Sequence, residues 1–184
     1  ECGKHFTGEC WWHRARDGDS ARDEAPGRDG GDPAATRGHS AMSNQGANPP
    51  GTASQTTFGS PFISWSNVNN VKVLDGAFAT AVVPNSFGTE LLTLTNWGFT
   101  IPSGAIIQGI SVEVTMKVDT GTGLPQVSVD KTTGSGSHAD NSKTATTTLL
   151  AYTYGGATSL WGQTWTAAEV NDSSHFVISI TFPN

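Results

Sequence analysis

Charged residues are scarce in this sequence. Lys, Arg, Asp and Glu together make up 14% of its 184 residues, against about 25% in an ordinary soluble domain. The formal net charge is −6, so the chain lacks the basic surface of a nucleic-acid-binding protein and we expect no such partner. No stretch approaches 18 consecutive apolar residues, and we expect neither a membrane-spanning segment nor a leader peptide.

Cysteine is also scarce, and both cysteines lie in the first ten residues, within "CGKHFTGECWWH". The rest of the chain must therefore fold without a disulfide. Thiolate and imidazole are the ligands that zinc prefers, and this stretch holds four of them, which predict a zinc site: Cys2, His5, Cys10 and His13. Two alternatives stay open, namely a flexible tail with incidental Cys and His, or a short Cys2–Cys10 disulfide loop.

Catalytic motifs are missing. No G-x-S-x-G elbow is present, and His138 and His175 are the only histidines after residue 57. A glycosidase needs two carboxylates that face one cleft, but the carboxylates after residue 57 are scattered over turns and polar strand faces. We therefore expect no enzyme. Calcium could use Asp119 with the loop at 121–123, or Asp140 with Asn141.

The first part of the chain is polar and irregular in composition. Residues 15–41 contain no Val, Ile, Leu or aromatic residue, so they cannot bury enough apolar surface to offset the entropy of ordering. "MSNQGANPPGTASQTT" is polar as well and reads as a linker. The prediction is an irregular N-terminal arm and linker over residues 1–57. Met42 also resembles a translation start, which leaves open that residues 1–41 derive from upstream reading or processing.

From residue 58 onward the apolar residues alternate as in half-buried strands. "ISVEVTMKV" (110–118) and "FVISITF" (176–182) each place their large apolar residues on one face. Further strand candidates lie at 77–83, 90–97, 126–131 and 145–154, between Gly, Pro and Asn turns. "TAAEVN" at 166–171 indicates one helical turn capped by Thr166. The prediction is an antiparallel, jelly-roll-like β-sandwich over residues 58–184.

Four stretches together resemble a known family: "WSNVNNVKVLDGAFAT" (65–80), "WGFTIPSGAIIQGISVEV" (97–114), "YGGATSLWGQTWTAAEVN" (154–171) and "FVISITF" (176–182). Their order resembles a β-sandwich domain of structural proteins of tailed bacteriophages. In "IPSGAIIQGI", Ile106, Ile107 and Ile110 are expected to enter the core. The resemblance implies a non-enzymatic virion protein, either a capsid decoration or a tail or fibre appendage. It would be a homo-oligomer that contacts other virion proteins in an extracellular particle.

Tryptophan offers the second functional hypothesis. Four indoles could serve as ligand-binding or interface aromatics, or could pack in the core: Trp65, Trp97, Trp161 and Trp165. An exposed, coplanar pair would favour a carbohydrate-binding module in a host-recognition fibre that binds a cell-surface glycan. A third hypothesis is a filament or surface-layer subunit in which the N-terminal arm donates a strand, so that removing residues 1–57 abolishes polymerisation and leaves the sandwich folded.

Overall fold

Strands make up nearly all of the regular structure. The computed structural model of the protein describes residues 4–14, 43–57, 61–84, 87–132 and 138–183, with the backbone alone for 4–14 and 43–44. One α-helix, α1 (Ala167–Asn171), and one 3-10 helix (Val68–Lys72) lie in these ranges. The strands are β1 (Lys4–Arg14), β2 (Ser43–Asn48), β3 (Thr52–Thr56), β4 (Phe62–Ile63), β5 (Gly88–Thr89), β6 (Leu91–Thr95), β7 (Ala105–Met116), β8 (Gln126–Asp130), β9 (Ala139–Asp140), β10 (Leu150–Gly156) and β11 (Val177–Thr181).

The strands form two large sheets. One has the order β10-β7-β1-β2 and the other β3-β6-β11-β8-β9, while β4 and β5 form a small separate pair. Every pairing within the two large sheets is antiparallel, and only β4–β5 is parallel. The prediction of an all-β antiparallel sandwich is confirmed.

The core lies between the facing sides of the two sheets. On β7 the predicted alternation holds, because Ile110, Val112, Val114 and Met116 are fully buried. Each such side chain contributes roughly 1.5–3 kcal/mol of burial free energy. The opposite sheet supplies its own buried residues to the same cluster: Leu92, Leu94, Val127, Val129, Ile178 and Ile180.

Two of the strand-level predictions are wrong. Ile106 is 49% exposed, whereas Ile107 and Ile110 are buried as predicted. In the pairing of β7 with β1, Trp11 lies opposite Gly109 but Trp12 lies opposite Ile107, so β7 has one extra residue at this point. Such a bulge moves the side chains on one side of it to the opposite face of the sheet. The stretch at 77–83 is not a strand, since its sheet pairing is limited to an isolated bridge between Thr80 and Ser66.

The segment before residue 58 is more regular than predicted. β1 pairs with β7 from Lys4–Met116 to Arg14–Ala105, and β3 pairs with β6. The irregular arm and linker expected over residues 1–57 therefore contain three strands, although residues 15–42 lie outside the described part of the chain. The physical reason is that β7 and β6 offer rows of backbone N–H and C=O groups that must be paired, and local composition does not reveal this demand.

The predicted helical turn is confirmed as α1. The Thr166 side chain accepts a hydrogen bond from the Glu169 backbone N–H at 3.2 Å, and the Glu169 carboxylate accepts from the Thr166 N–H at 2.9 Å. This reciprocal pair is a capping box. Within the described ranges, no helix is long and apolar enough to cross a membrane.

Candidate functional site

The four tryptophans singled out in the sequence are core residues. Trp65, Trp97, Trp161 and Trp165 are 4%, 3%, 8% and 6% exposed. Three indole N–H groups donate to main-chain carbonyls, those of Glu90, Ile110 and Leu160. A sugar platform needs an exposed aromatic face, and in this structure these faces are occupied by other core side chains. Of the readings left open for the four tryptophans, the structure supports core packing.

Phe176 is the centre of an aromatic cluster, defined here as Trp97, Phe99, Trp165 and Phe176. Its ring centroid lies 5.3 Å from that of Trp165, 5.5 Å from Phe99 and 6.2 Å from Trp97. All three contacts are edge-on, the arrangement that aromatic quadrupoles favour. The cluster belongs to the hydrophobic core, and Trp165 directly precedes Thr166, the N-cap of α1.

The predicted zinc ligands are not brought together by anything the structure describes. Cys2 lies outside the described residues, and His5, Cys10 and His13 lie in β1, where only the backbone is described. Among the described side chains, no group of three His, Cys, Asp or Glu is placed to hold a metal ion. The zinc site stays a prediction.

Strand donation by the N-terminal arm meets a structural obstacle. β1 lies between β7 and β2 of its own chain, so donation to a neighbour requires that β1 leave this place. Removal of residues 1–57 would take β1, β2 and β3 out of the two sheets. The truncation is therefore not a clean test of polymerisation, because it also removes part of the sandwich.

A cleft lies beside the short edge strand β9. Its volume is about 390 Å³, near the lower end of the about 300–1,000 Å³ typical of small-molecule sites. Ile110 donates its backbone N–H to the carbonyl of Ser159 at 2.8 Å, which holds one wall against β7. The cleft is lined by His138, Ala139, Asp140, Ser159, Trp161 and Gly162.

His138 is held by a buried carboxylate. Its Nδ1 lies 2.9 Å from Oδ1 of Asp130, whose side chain is 1% exposed. A carboxylate can only accept, so Nδ1 carries the proton and Nε2 is the acceptor in the neutral ring. The other oxygen of Asp130, Oδ2, is buried and has no hydrogen-bond partner among the described residues.

Two tyrosines of β10 carry buried hydroxyl groups. Neither the Tyr152 nor the Tyr154 hydroxyl has a hydrogen-bond partner in the described part of the chain. Burial, followed by the negative charge of Asp140 and by Tyr152, raises the pKa of Tyr154 above its ordinary value. Asp140 is therefore close enough to act on Tyr154, while its Oδ1 accepts the Ser142 N–H at 2.8 Å.

The lining contains a single acidic side chain. Asp140 is the one carboxylate among the residues that the structure places in the cleft lining, and glycoside hydrolysis needs a pair. Asp119, the other calcium candidate, has a 3.1 Å ion pair with Lys117.

Sequence reasoning missed this site because Asp130 and His138 stood among scattered polar residues. A usable signal was present, since the Gly-Ser turn at 134–136 indicates a hairpin. In that hairpin β8 and β9 pair Ser128 with Ala139. The antiparallel register then places His138 opposite Val129, whose N–H donates to the His138 carbonyl, and so next to Asp130.

Comparison with protein-family models, with curated protein sequences and with solved structures gives no match for this chain.

Proposed function

We propose that the protein is a non-enzymatic structural subunit that works through protein–protein contacts, as a capsid decoration or a tail or fibre appendage of a virion. The sequence resemblance to phage β-sandwich proteins supports the virion setting. The all-β body with its tryptophans packed inside supports a rigid building block. One observation carries the contact mechanism, and it concerns β10.

β10 is an edge strand without the usual protection. It ends the four-stranded sheet, and β7 is its neighbour there. Natural edge strands are commonly guarded by charged side chains, proline, bulges or very short length. The sequence of β10, "LAYTYGG", is seven residues long and contains neither charge nor proline. Among the described strands, β10 has no neighbour on the side away from β7, so this side can pair with a strand of another subunit.

Exposed apolar side chains lie at the start of this edge. Leu149 is 43% exposed and Leu150 is 47% exposed. Leu124, 59% exposed, follows Gly123, which bridges to Ala145 in the segment leading into β10. Apolar surface beside an unprotected strand favours association, because burying it adds to the backbone hydrogen bonds formed between subunits.

The association state of the full chain tests this mechanism. We expect the wild-type protein to self-associate in sedimentation velocity, and we expect Leu150→Lys to weaken association at least tenfold by placing a charge on the edge. Leu74→Lys is the matched control, because Leu74 is 68% exposed and lies outside β10. Circular dichroism checks that both variants fold.

A monomer at every concentration, or equal loss in both variants, would contradict the role of β10. The virion setting has its own test, which is detection of this chain by mass spectrometry in purified particles. Its absence from such particles would contradict that setting and leave the β10 result standing.

A further inference from the structure

The cleft beside β9 has features of a ligand site that the structural role does not use. We infer that it binds a neutral, hydroxyl-rich ligand, such as one sugar ring of a surface glycan. This inference goes beyond the proposed function and does not depend on it, because the cleft lining and β10 have different residues.

The lining is rich in hydrogen-bond acceptors. The Asp140 carboxylate accepts only, and in the neutral His138 ring, with Nδ1–H directed to Asp130, Nε2 is an acceptor as well. A Cβ added to Gly162, a residue of the cleft lining, would lie 3.5 Å from Cδ2 of His138. Cδ2 is bonded to Nε2, so the Nε2 edge of the imidazole ring lies beside Gly162. Ser159 adds a hydroxyl that both donates and accepts. Sugar hydroxyls complement such a surface, since each can donate and accept.

The charge and the donor set argue against other ligands. Asp140 repels anions, because no cationic side chain is among the cleft residues described above. A calcium ion takes six to eight oxygen ligands, and no cluster of three metal-binding side chains exists among the described residues. A neutral ligand with several hydroxyl groups complements this lining, because it can donate to the Asp140 carboxylate and both donate to and accept from the Ser159 hydroxyl.

Unpartnered buried atoms nearby give an independent sign. Buried polar groups normally have a hydrogen-bond partner, and exceptions point to an ordered water, a ligand or a functional role. Among the described residues, Asp130, whose Oδ1 contacts His138, leaves its Oδ2 without a partner, and the Tyr154 hydroxyl, on which the charge of Asp140 acts, is also unpartnered. Both residues are at least 99% buried.

The test is a titration of the isotope-labelled full chain with methyl glycosides of glucose, galactose, mannose, rhamnose and N-acetylglucosamine, followed by NMR. We expect at least one glycoside to shift the Trp161 indole and Gly162 amide signals saturably at millimolar concentration. Asp140→Asn should weaken that binding at least tenfold while keeping the acceptor for the Ser142 N–H. Ser159→Ala is the second variant, because its backbone hydrogen bond to Ile110 is kept.

Glu113→Gln is the matched control, because Glu113 is an exposed carboxylate on β7. The inference is overturned if no glycoside shifts the cleft signals, if Asp140→Asn binds as well as Glu113→Gln, or if calcium chloride alone produces the shifts. Leu150→Lys, which tests association, should leave glycoside binding unchanged, so the two proposals fail separately.

Discussion

The aromatic cluster and the cleft beside β9 differ in the contacts that their buried groups make. At the cluster, Phe176 contacts three rings, and Asn171 of α1 exchanges two 2.8 Å hydrogen bonds with the backbone of Ile101. One buried atom there, Trp97 Nε1, has no partner. Next to the cleft, Asp130 and Tyr154 each leave a buried polar atom without a partner among the described residues. The first region is held by ring contacts and hydrogen bonds, whereas the second contains buried polar atoms whose hydrogen bonds are not made, which costs stability.

The largest expected effect is at the centre of the cluster. Phe176→Ala should lower the free energy of unfolding by about 3–5 kcal/mol, because it removes a 1%-exposed side chain and leaves a cavity. Urea denaturation measures the loss. Leu74→Ala is the control and should stay within about 0.5 kcal/mol. A loss below about 1 kcal/mol in Phe176→Ala would remove the contrast between the two regions.

A substitution at Gly155 tests how closely Trp161, a residue of the cleft lining, packs against β10. Its φ is +69°, and an added Cβ would meet the Ile110 carbonyl and the Trp161 indole. Gly155→Ala should cost roughly 1–2 kcal/mol for the left-handed backbone, plus a further loss from the clash. Gly98→Ala is matched in φ, +65°, but meets no atom within 4 Å. Equal unfolding free energies in the two variants would show that Trp161 yields freely.

The capping box stabilises the start of α1, directly after Trp165 of the cluster. Thr166→Ala removes the acceptor for the Glu169 N–H and should cost about 1 kcal/mol, whereas Thr166→Ser keeps the cap. Thermal unfolding compares the two variants. A lower midpoint in Thr166→Ser than in Thr166→Ala would rule out the cap as the source.

Near the cleft, deleting the hydroxyl group of a tyrosine should not cost stability as the deletions at the cluster do. Tyr154→Phe removes a buried hydroxyl without a partner, so stability should stay constant or rise by up to about 1 kcal/mol. The raised pKa of Tyr154 also means that the native state holds its proton more tightly than the unfolded chain. The associated stability is present below pH 10 and is lost as pH rises above it.

Denaturation at pH 9 and pH 11 measures this dependence. The wild type should lose more stability between the two values than Tyr154→Phe. A destabilised Tyr154→Phe at pH 7 would mean that the hydroxyl has a partner, and the polar contrast with the cluster would weaken.

The smallest effect is at low pH, near the end of α1. Hydrogen bonds from the Ser174 hydroxyl and backbone lower the pKa of Asp172 to about 2. Stability from this group is present above the unfolded pKa of 3.8 and is lost as pH falls towards 2. Asp172→Asn should flatten the stability profile between pH 4 and pH 2. An unchanged slope would assign acid sensitivity to other carboxylates.

The parts of the fold that sequence predicts best are those with a local signal. β7 and β11 follow from period-two alternation, and α1 follows from Thr166 and Glu169. The exposure of Ile106 was not predicted because it depends on a bulge opposite β1, which only the pairing of distant strands creates. The cleft escaped for a related reason, since His138, Ser159 and Trp161 meet through three-dimensional packing and share no spacing in the chain.

The position of β1 in the middle of its sheet has a consequence for biosynthesis. Arg14 pairs with Ala105 and Lys4 with Met116, so β7 is translated long after β1. At typical rates of about 5–20 residues per second, the first strand waits roughly 5–20 s on the ribosome before β7 emerges, although its other neighbour, β2, follows much sooner. Throughout that interval the backbone groups that later pair with β7 are unpaired, and chaperones or a sister chain at a neighbouring ribosome have time to bind them.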